Sequence, residues 1–223
     1  MKPSNNDKMV AILRCLKPEM NGAVVGDMEA RGVKYGLNYG VSVPVIRRVA
    51  REYAPDHALA AYLFRQDIRE LKLAAVYIDD PAEVTAGQME EWASVVPADE
   101  IMEHAAMNLF YASPDAEQVV FEWLSGDDRR RWKGALHSVG RAGIKGLLAA
   151  TAAEQYLDAV VAFLESKRNI PCRAAVYALC GLARVSDGLS EKVGKVLSRL
   201  PVDANPEIRE VVVETAALQE MQV

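Results

Sequence analysis

The chain is poor in cysteine: Cys15, Cys172 and Cys180 are an odd number and stand at no metal-ligand or redox spacing. A disulfide framework or a zinc site is therefore not expected, and the three thiols read as reduced side chains of a cytoplasmic protein. Although 51% of the 223 residues are apolar, no apolar run approaches the ~18 residues that span a bilayer, so no membrane attachment is expected. The first twenty residues lack an uninterrupted apolar stretch, because Arg14 and Lys17 break it, and no secretion signal is expected. Gly-rich phosphate loops, nucleophile elbows, HExxH and CxxC motifs are all missing. Hydrolases, NTPases and zinc enzymes thus have no positive support, and no cofactor or metal is called for. Alternation of the strand type is scarce.

What is present is helical periodicity along nearly the whole chain. Leu71, Ala74, Ala75 and Ile78 make one apolar stripe, and Val160, Val161 and Leu164 another. The breaks are short and carry turn or cap chemistry: Asp79-Asp80-Pro81, Val96-Pro97-Ala98-Asp99, Ser113-Pro114-Asp115, Ser125-Gly126-Asp127-Asp128, Ser186-Asp187-Gly188 and Asn205-Pro206-Glu207. This punctuation predicts about a dozen helices of roughly 8 to 16 residues.

One local pattern returns. An Asp or Asn opens a helix, an Arg follows two to four residues later, and an apolar stripe comes after: Asp67 to Arg69, Asp128 to Arg131, Asn169 to Arg173, Asn205 to Arg209. The last two Arg-to-Arg intervals are 42 and 36 residues, close to the periods of HEAT repeats. A helix pair cannot bury its apolar face alone, so neighbouring pairs stack and leave a concave surface. The expected fold is all-α: a HEAT-like α-solenoid of stacked antiparallel helix pairs, an α-α superhelix, with 1–223 as a single domain. The repeated Arg either ties helix ends of adjacent repeats together or faces a ligand.

The net charge of −5 is unevenly spread. Residues 1–78 carry 12 Lys/Arg against 8 Asp/Glu, residues 79–122 none against 11, residues 127–200 13 against 7, and residues 201–223 1 against 5. An acidic balance argues against indiscriminate binding to DNA. A basic patch on one face still attracts phosphate, because such attraction is local and screened within about 10 Å. The acidic middle segment is expected to raise carboxyl pKa values and to repel phosphate.

The stretch Tyr39-Gly40-Val41-Ser42-Val43-Pro44-Val45-Ile46-Arg47-Arg48-Val49-Ala50 resembles the N-terminal signature of the AlkD-type DNA alkylation repair family. The helix from Arg69 to Tyr77 resembles that family's next repeat, and the likeness in element order covers roughly residues 30–200. The resemblance implies a HEAT-like repeat protein that holds duplex DNA in a basic concave groove. For members that are glycosylases, it implies excision of N3- or N7-methylated purines without flipping the lesion into a pocket. Their central Asp stabilises the cationic sugar that develops as the glycosidic bond breaks. That Asp falls at Glu103, and the Trp four residues before it falls at Asp99. The later Trp has no counterpart, Tyr177 being the aromatic nearby. The family's basic residue maps onto Arg129-Arg130-Arg131-Trp132-Lys133.

Glu103, and less directly Asp99, are the candidate catalytic carboxylates; each is otherwise an ordinary carboxylate on a helix. His104 is a base, a partner of Glu100 one turn away, or structural. The candidate DNA contacts are Arg129, Arg130, Arg131, Lys133, Arg141 and Arg173, extended by Arg47 and Arg48, with Trp132 as the tryptophan inside the basic cluster. The cations at Arg129–Lys133 oppose the dipole of the helix they open, which Asp127 and Asp128 offset as caps. Trp92, Trp123 and Trp132 otherwise read as core. Two functions compete: a DNA alkylation repair glycosylase on duplex DNA, and a non-catalytic HEAT-like module that binds a protein or an unusual nucleic-acid structure.

Overall fold

The computed structural model describes residues 3–96, 98–203 and 205–220, with Glu220 described in its backbone only. Among the described residues there are thirteen α-helices and no strand; Leu37 and Ile68 form one isolated bridge. The helices are 8 to 17 residues long. The turn and cap segments read from the sequence fall at helix boundaries, with Pro97 lying outside the described residues. The chain divides into two compact units, residues 1–109 and 110–223.

The first unit contains α1 (Asn5–Leu16), α2 (Gly22–Ala30), α3 (Val43–Ala50), α4 (His57–Phe64), α5 (Arg69–Ile78), α6 (Ala86–Val95) and α7 (Asp99–Asn108). Local chemistry sets their starts. Ser4 and Asp7 close a capping box on α1, Asp56 accepts from the Leu59 amide at the start of α4, and Thr85 accepts from Gln88 at the start of α6. The axis of the unit is α5, which packs against α3, α4 and α7 and buries every residue except Tyr77. Phe64 of α4 stacks on Trp92 of α6 with ring centroids 3.8 Å apart. The buried Lys72 ammonium donates to the Phe64 carbonyl at 2.7 Å, satisfying an orphan acceptor at the end of α4.

The second unit contains a 3-10 turn (Phe110–Ala112) and then α8 (Ala116–Ser125), α9 (Arg129–Ile144), α10 (Ala150–Ser166), α11 (Cys172–Ala183), α12 (Asp187–Leu197) and α13 (Pro206–Glu220). Its densest contact is α9 against α11, and glycine makes it possible. A Cβ on Gly143 would lie 2.3 Å from the Gly181 carbonyl oxygen, and one on Gly181 would lie 2.2 Å from that of Gly140. The two backbones touch where any side chain would hold them apart.

Candidate functional site

In the first unit the site grows from two adjacent charged residues on α5. Glu70 is fully buried, and its carboxylate accepts from the backbone amides of Tyr39 and Val41 at 3.2 Å. Between them Gly40 has φ +68°, and a Cβ there would sit 2.1 Å from the Asn21 carbonyl oxygen. Only glycine fits, so the Tyr39-Gly40-Val41 signature is a backbone clasp onto α5. Asn21 closes it from the other side by donating its amide to the Tyr39 carbonyl at 2.8 Å.

Arg69, only 3% exposed, spends its guanidinium on three acceptors. Nη1 donates to the Val41 carbonyl at 2.9 Å and to Glu70 at 3.1 Å, while Nε and Nη2 fork onto the two oxygens of Glu100 at 2.8 and 2.5 Å. The Tyr35 hydroxyl donates to the same Glu100 carboxylate at 2.7 Å. Burial pushes the Glu100 carboxyl upward, but the bonds from Arg69 and Tyr35 outweigh it and leave the group below its ordinary range. The rise expected from the acidic stretch is thus reversed at Glu100, because the fold brings in a cation from outside that stretch. Asp79 does rise, chiefly through burial, against the lowering bonds of His57 and Gln88.

One turn beyond Glu100, His104 is half-buried, and its Nδ1 lies 2.8 Å from the Tyr77 hydroxyl. Its hydrogen-bond partner is Tyr77, and the Glu100 charge one turn away also acts on it. Burial lowers its pKa below the ordinary imidazole value, which keeps the ring neutral near neutral pH. Arg47 of α3 completes the row. Its Nη2 donates to the Tyr77 hydroxyl at 3.3 Å, its guanidinium sits 4.8 Å from the centre of the Tyr77 ring, and its buried Nε has no partner. Arg47, Arg48 and Arg51 line one groove of about 460 Å3 with Val43 and Pro44. Arg48 also reaches Glu19 at 3.8 Å, in an exposed pair. Glu103 and Asp99 are both half-buried on α7, and the Glu103 charge acts on His104.

In the second unit the basic residues open α9. Asp128 caps the helix by accepting from the amides of Arg130 and Arg131, and it also accepts from the Arg131 guanidinium at 2.8 Å. Arg129 donates from Nε to the Asn169 carbonyl at 3.0 Å, tying the start of α9 to the turn before α11. Arg130 and Lys133 are half-buried, and Arg173 is exposed in the first turn of α11. Arg141 lies 5.8 Å from the centre of the Tyr111 ring, with a buried Nε that has no partner.

Trp132 is a correction to the expected set of contacts. It is 6% exposed, donates from Nε1 to the Gly126 carbonyl at 2.9 Å, and packs edge-on against Phe163 at 5.2 Å. It is a core residue that braces the start of α9, because its flat apolar body finds a place between α9 and α10.

Sequence reasoning did not single out Arg69, Glu70, Tyr35 or Tyr77 as a network. The available signal was an Arg-Glu pair heading a largely apolar helix whose further charge is Lys72.

A solved structure from "a new family of proteins related to the HEAT-like repeat DNA glycosylases with affinity for branched DNA structures" is similar to this chain. It superimposes with a TM-score of 0.71 at 14% identity, covering 84% of this chain and 81% of that one. At that identity the likeness establishes a shared fold, HEAT-like and all-helical. No curated protein matches the sequence. The family model described as "DNA alkylation repair enzyme" matches residues 26–179. That stretch includes the Gly40 clasp, the α5 pair and the whole of α9, and with well over half of its length matched the chain belongs to the DNA alkylation repair enzyme family.

Proposed function

We propose that the protein binds DNA through its phosphates, using the α3 arginines in the first unit and the basic residues of α9 and α11 in the second. The observation that carries this reading is the groove lined by the three arginines Arg47, Arg48 and Arg51. A planar guanidinium on a groove wall is suited to a phosphate oxygen, which accepts a charge-assisted bond. Arg129, Arg130, Arg131, Lys133, Arg141 and Arg173 form the corresponding basic set in unit two. The affinity for branched DNA of the related family makes a junction the first substrate to try beside plain duplex.

Base excision is the second reading, favoured by the family match and by Glu103 lying next to His104 on α7. Glu103 would take the part of the carboxylate that faces a developing sugar cation. Against it, Asp99 stands where glycosylases of the resembled type carry one tryptophan, and their later tryptophan has no counterpart, with only Tyr177 nearby.

Fluorescence anisotropy across a salt titration, on a 20-base-pair duplex (about two helical turns) and on a four-way junction, tests the first reading. Each phosphate contact contributes about −0.9 to the slope of log K against log salt. A slope steeper than about −3 that becomes shallower in Arg47→Gln and in Arg131→Gln is the expected result. No binding at ~50 mM salt eliminates DNA and leaves a protein partner. Release of N7-methylguanine from alkylated DNA, with Glu103→Gln as the control, tests the second reading. A rate equal to the uncatalysed one in both forms removes it.

A further inference from the structure

The first unit holds a second groove, of about 340 Å3, to which the reading above assigns no role. Val10, Leu13 and Arg14 of α1, Lys17 of the 3-10 turn Lys17–Glu19, Met20 and Tyr39 line it. Its open surface is chiefly apolar, and Met20 is 50% exposed. Water therefore covers apolar side chains from which a ligand would displace it. The volume is at the lower end of the range of small-ligand pockets.

The charge of this groove has one sign. Arg14 and Lys17 are exposed, neither side chain has an ion-pair partner among the described residues, and no carboxylate is among the described lining residues. Cations at the C-terminal end of α1 need no carboxylate to hold them, because the helix dipole favours them there. Glu19, the acid on the same turn, is engaged elsewhere: it lies 3.8 Å from Arg48 of α3. Arg48 lines the arginine groove of α3, and α1 packs against α3, so the two grooves stand on either side of the Glu19–Arg48 pair.

Tyr39 is fixed in place without use of its ring. Its amide bonds to Glu70 and its carbonyl accepts from the Asn21 amide, so the clasp engages its backbone, and the residue keeps part of its surface open beside α1. A tyrosine and a methionine next to two cations match the two halves of a nucleotide. The flat face of a base packs on aromatic and thioether groups, and its phosphate accepts charge-assisted bonds from Arg and Lys. A base inside a duplex is covered by its neighbours on both faces, whereas an unpaired one has a face to offer.

We propose that the α1 groove binds one unpaired nucleotide of a DNA strand, the base against Tyr39, Leu13 and Met20 and the phosphate on Arg14 and Lys17. The inference rests on the DNA reading above for the paired part of the ligand, whose phosphates the neighbouring α3 arginines take. It adds a site for the strand where pairing ends.

Fluorescence anisotropy on the full chain compares the blunt duplex with the same duplex carrying a single-stranded thymidine tail, and with the tail alone. The tailed duplex binds at least about fivefold more tightly than the blunt one. Tyr39→Leu, which keeps apolar bulk, and Met20→Glu, at an exposed position, each bring that ratio to within about twofold of unity. The double variant Arg14→Gln/Lys17→Gln does the same and makes the salt slope of the tail alone shallower by about 0.7 per lost contact. Circular dichroism verifies that the helices remain. A tail that adds nothing to a duplex that itself binds overturns the groove and leaves the phosphate reading standing. A tail that binds alone and is lost in Tyr39→Leu, beside a blunt duplex that does not bind, keeps the groove and removes the phosphate reading. Failure of both tail and tailed duplex to bind overturns the proposal. So does a ratio unmoved by Tyr39→Leu and by the double variant, and so does octanoate displacing the tail more strongly than thymidine 5′-monophosphate, which would assign the groove to a fatty chain.

Discussion

Arg69 of α5 grips Glu100 of α7 with both edges of its guanidinium, Nε to Oε2 at 2.8 Å and Nη2 to Oε1 at 2.5 Å. The arginine is almost wholly enclosed, whereas the carboxylate keeps about a quarter of its side-chain surface, 24%, open to solvent. The pair therefore fastens α7 to the central helix of the first unit at the point where water begins.

Removing one partner leaves a buried charge without compensation. Glu100→Ala should cost about 3 kcal/mol in urea-induced unfolding, and Arg69→Met a similar amount. The double variant should cost clearly less than the sum of the two, because each single change already breaks the same bond. Strict additivity would show that Arg69 and Glu100 act independently.

Two groups with lowered pKa values contribute to the pH dependence of stability, and Asp79, whose carboxyl is raised, acts in the opposite sense. Glu100 is more acidic folded than unfolded, so its contribution is complete above its ordinary range and is lost as pH falls through the folded value. His104 is less basic folded than unfolded, so on acidification below about 6.5 the unfolded chain takes up a proton first, and stability again falls. Urea midpoints measured between about pH 2 and 8 should decline in two stages on acidification. His104→Gln should remove the upper stage and Glu100→Gln the lower one. Profiles that are unchanged in both His104→Gln and Glu100→Gln would contradict both assignments.

Glycine substitutions separate close packing from mere helix propensity. Gly181→Ala sets a methyl group within 2.2 Å of the Gly140 carbonyl oxygen and should lower stability by about 2 kcal/mol or more. Gly194→Ala on α12, with nothing within 4 Å of the new Cβ, should raise it by up to about 1 kcal/mol. Thermal unfolding of the two variants gives shifts of opposite sign.

Trp132 and Arg131 are neighbours in sequence with opposite expected consequences. Trp132→Ala empties core volume and should cost about 3 kcal/mol of stability; Trp132→Phe keeps most of the packing and should leave DNA affinity within about twofold. Arg131→Gln should do the reverse, changing stability by about 0.5 kcal/mol while reducing the salt slope by about one contact. DNA affinity that follows Trp132→Phe more than Arg131→Gln would reinstate the tryptophan as a contact.

Much of the helical plan was legible, because the helices show an apolar stripe and several of the breaks between them carry a cap residue such as Asp128 or Ser186. The polar network was not. Arg69 and Glu100 are separated by 31 positions, and a charge count along the chain assigns them to opposite camps. The reversal of the Glu100 shift follows directly from that. Trp132 misled for a related reason: three flanking arginines describe the surface that begins beside it, whereas its own burial depends on Phe163 from α10. The α9–α11 contact was equally hidden, since Gly140, Gly143 and Gly181 carry no side-chain signal and become informative only once their helices are side by side.

Glu70 gives the recognisable part of the sequence its meaning. With its carboxylate closed over the Tyr39 and Val41 amides and with Gly40 pressed against Asn21, the opening of the segment by which the chain is recognised is an architectural joint. Kinship read from Tyr39-Gly40-Val41 is thus kinship of construction, and the trade practised by the finished building has to be learned from its other rooms.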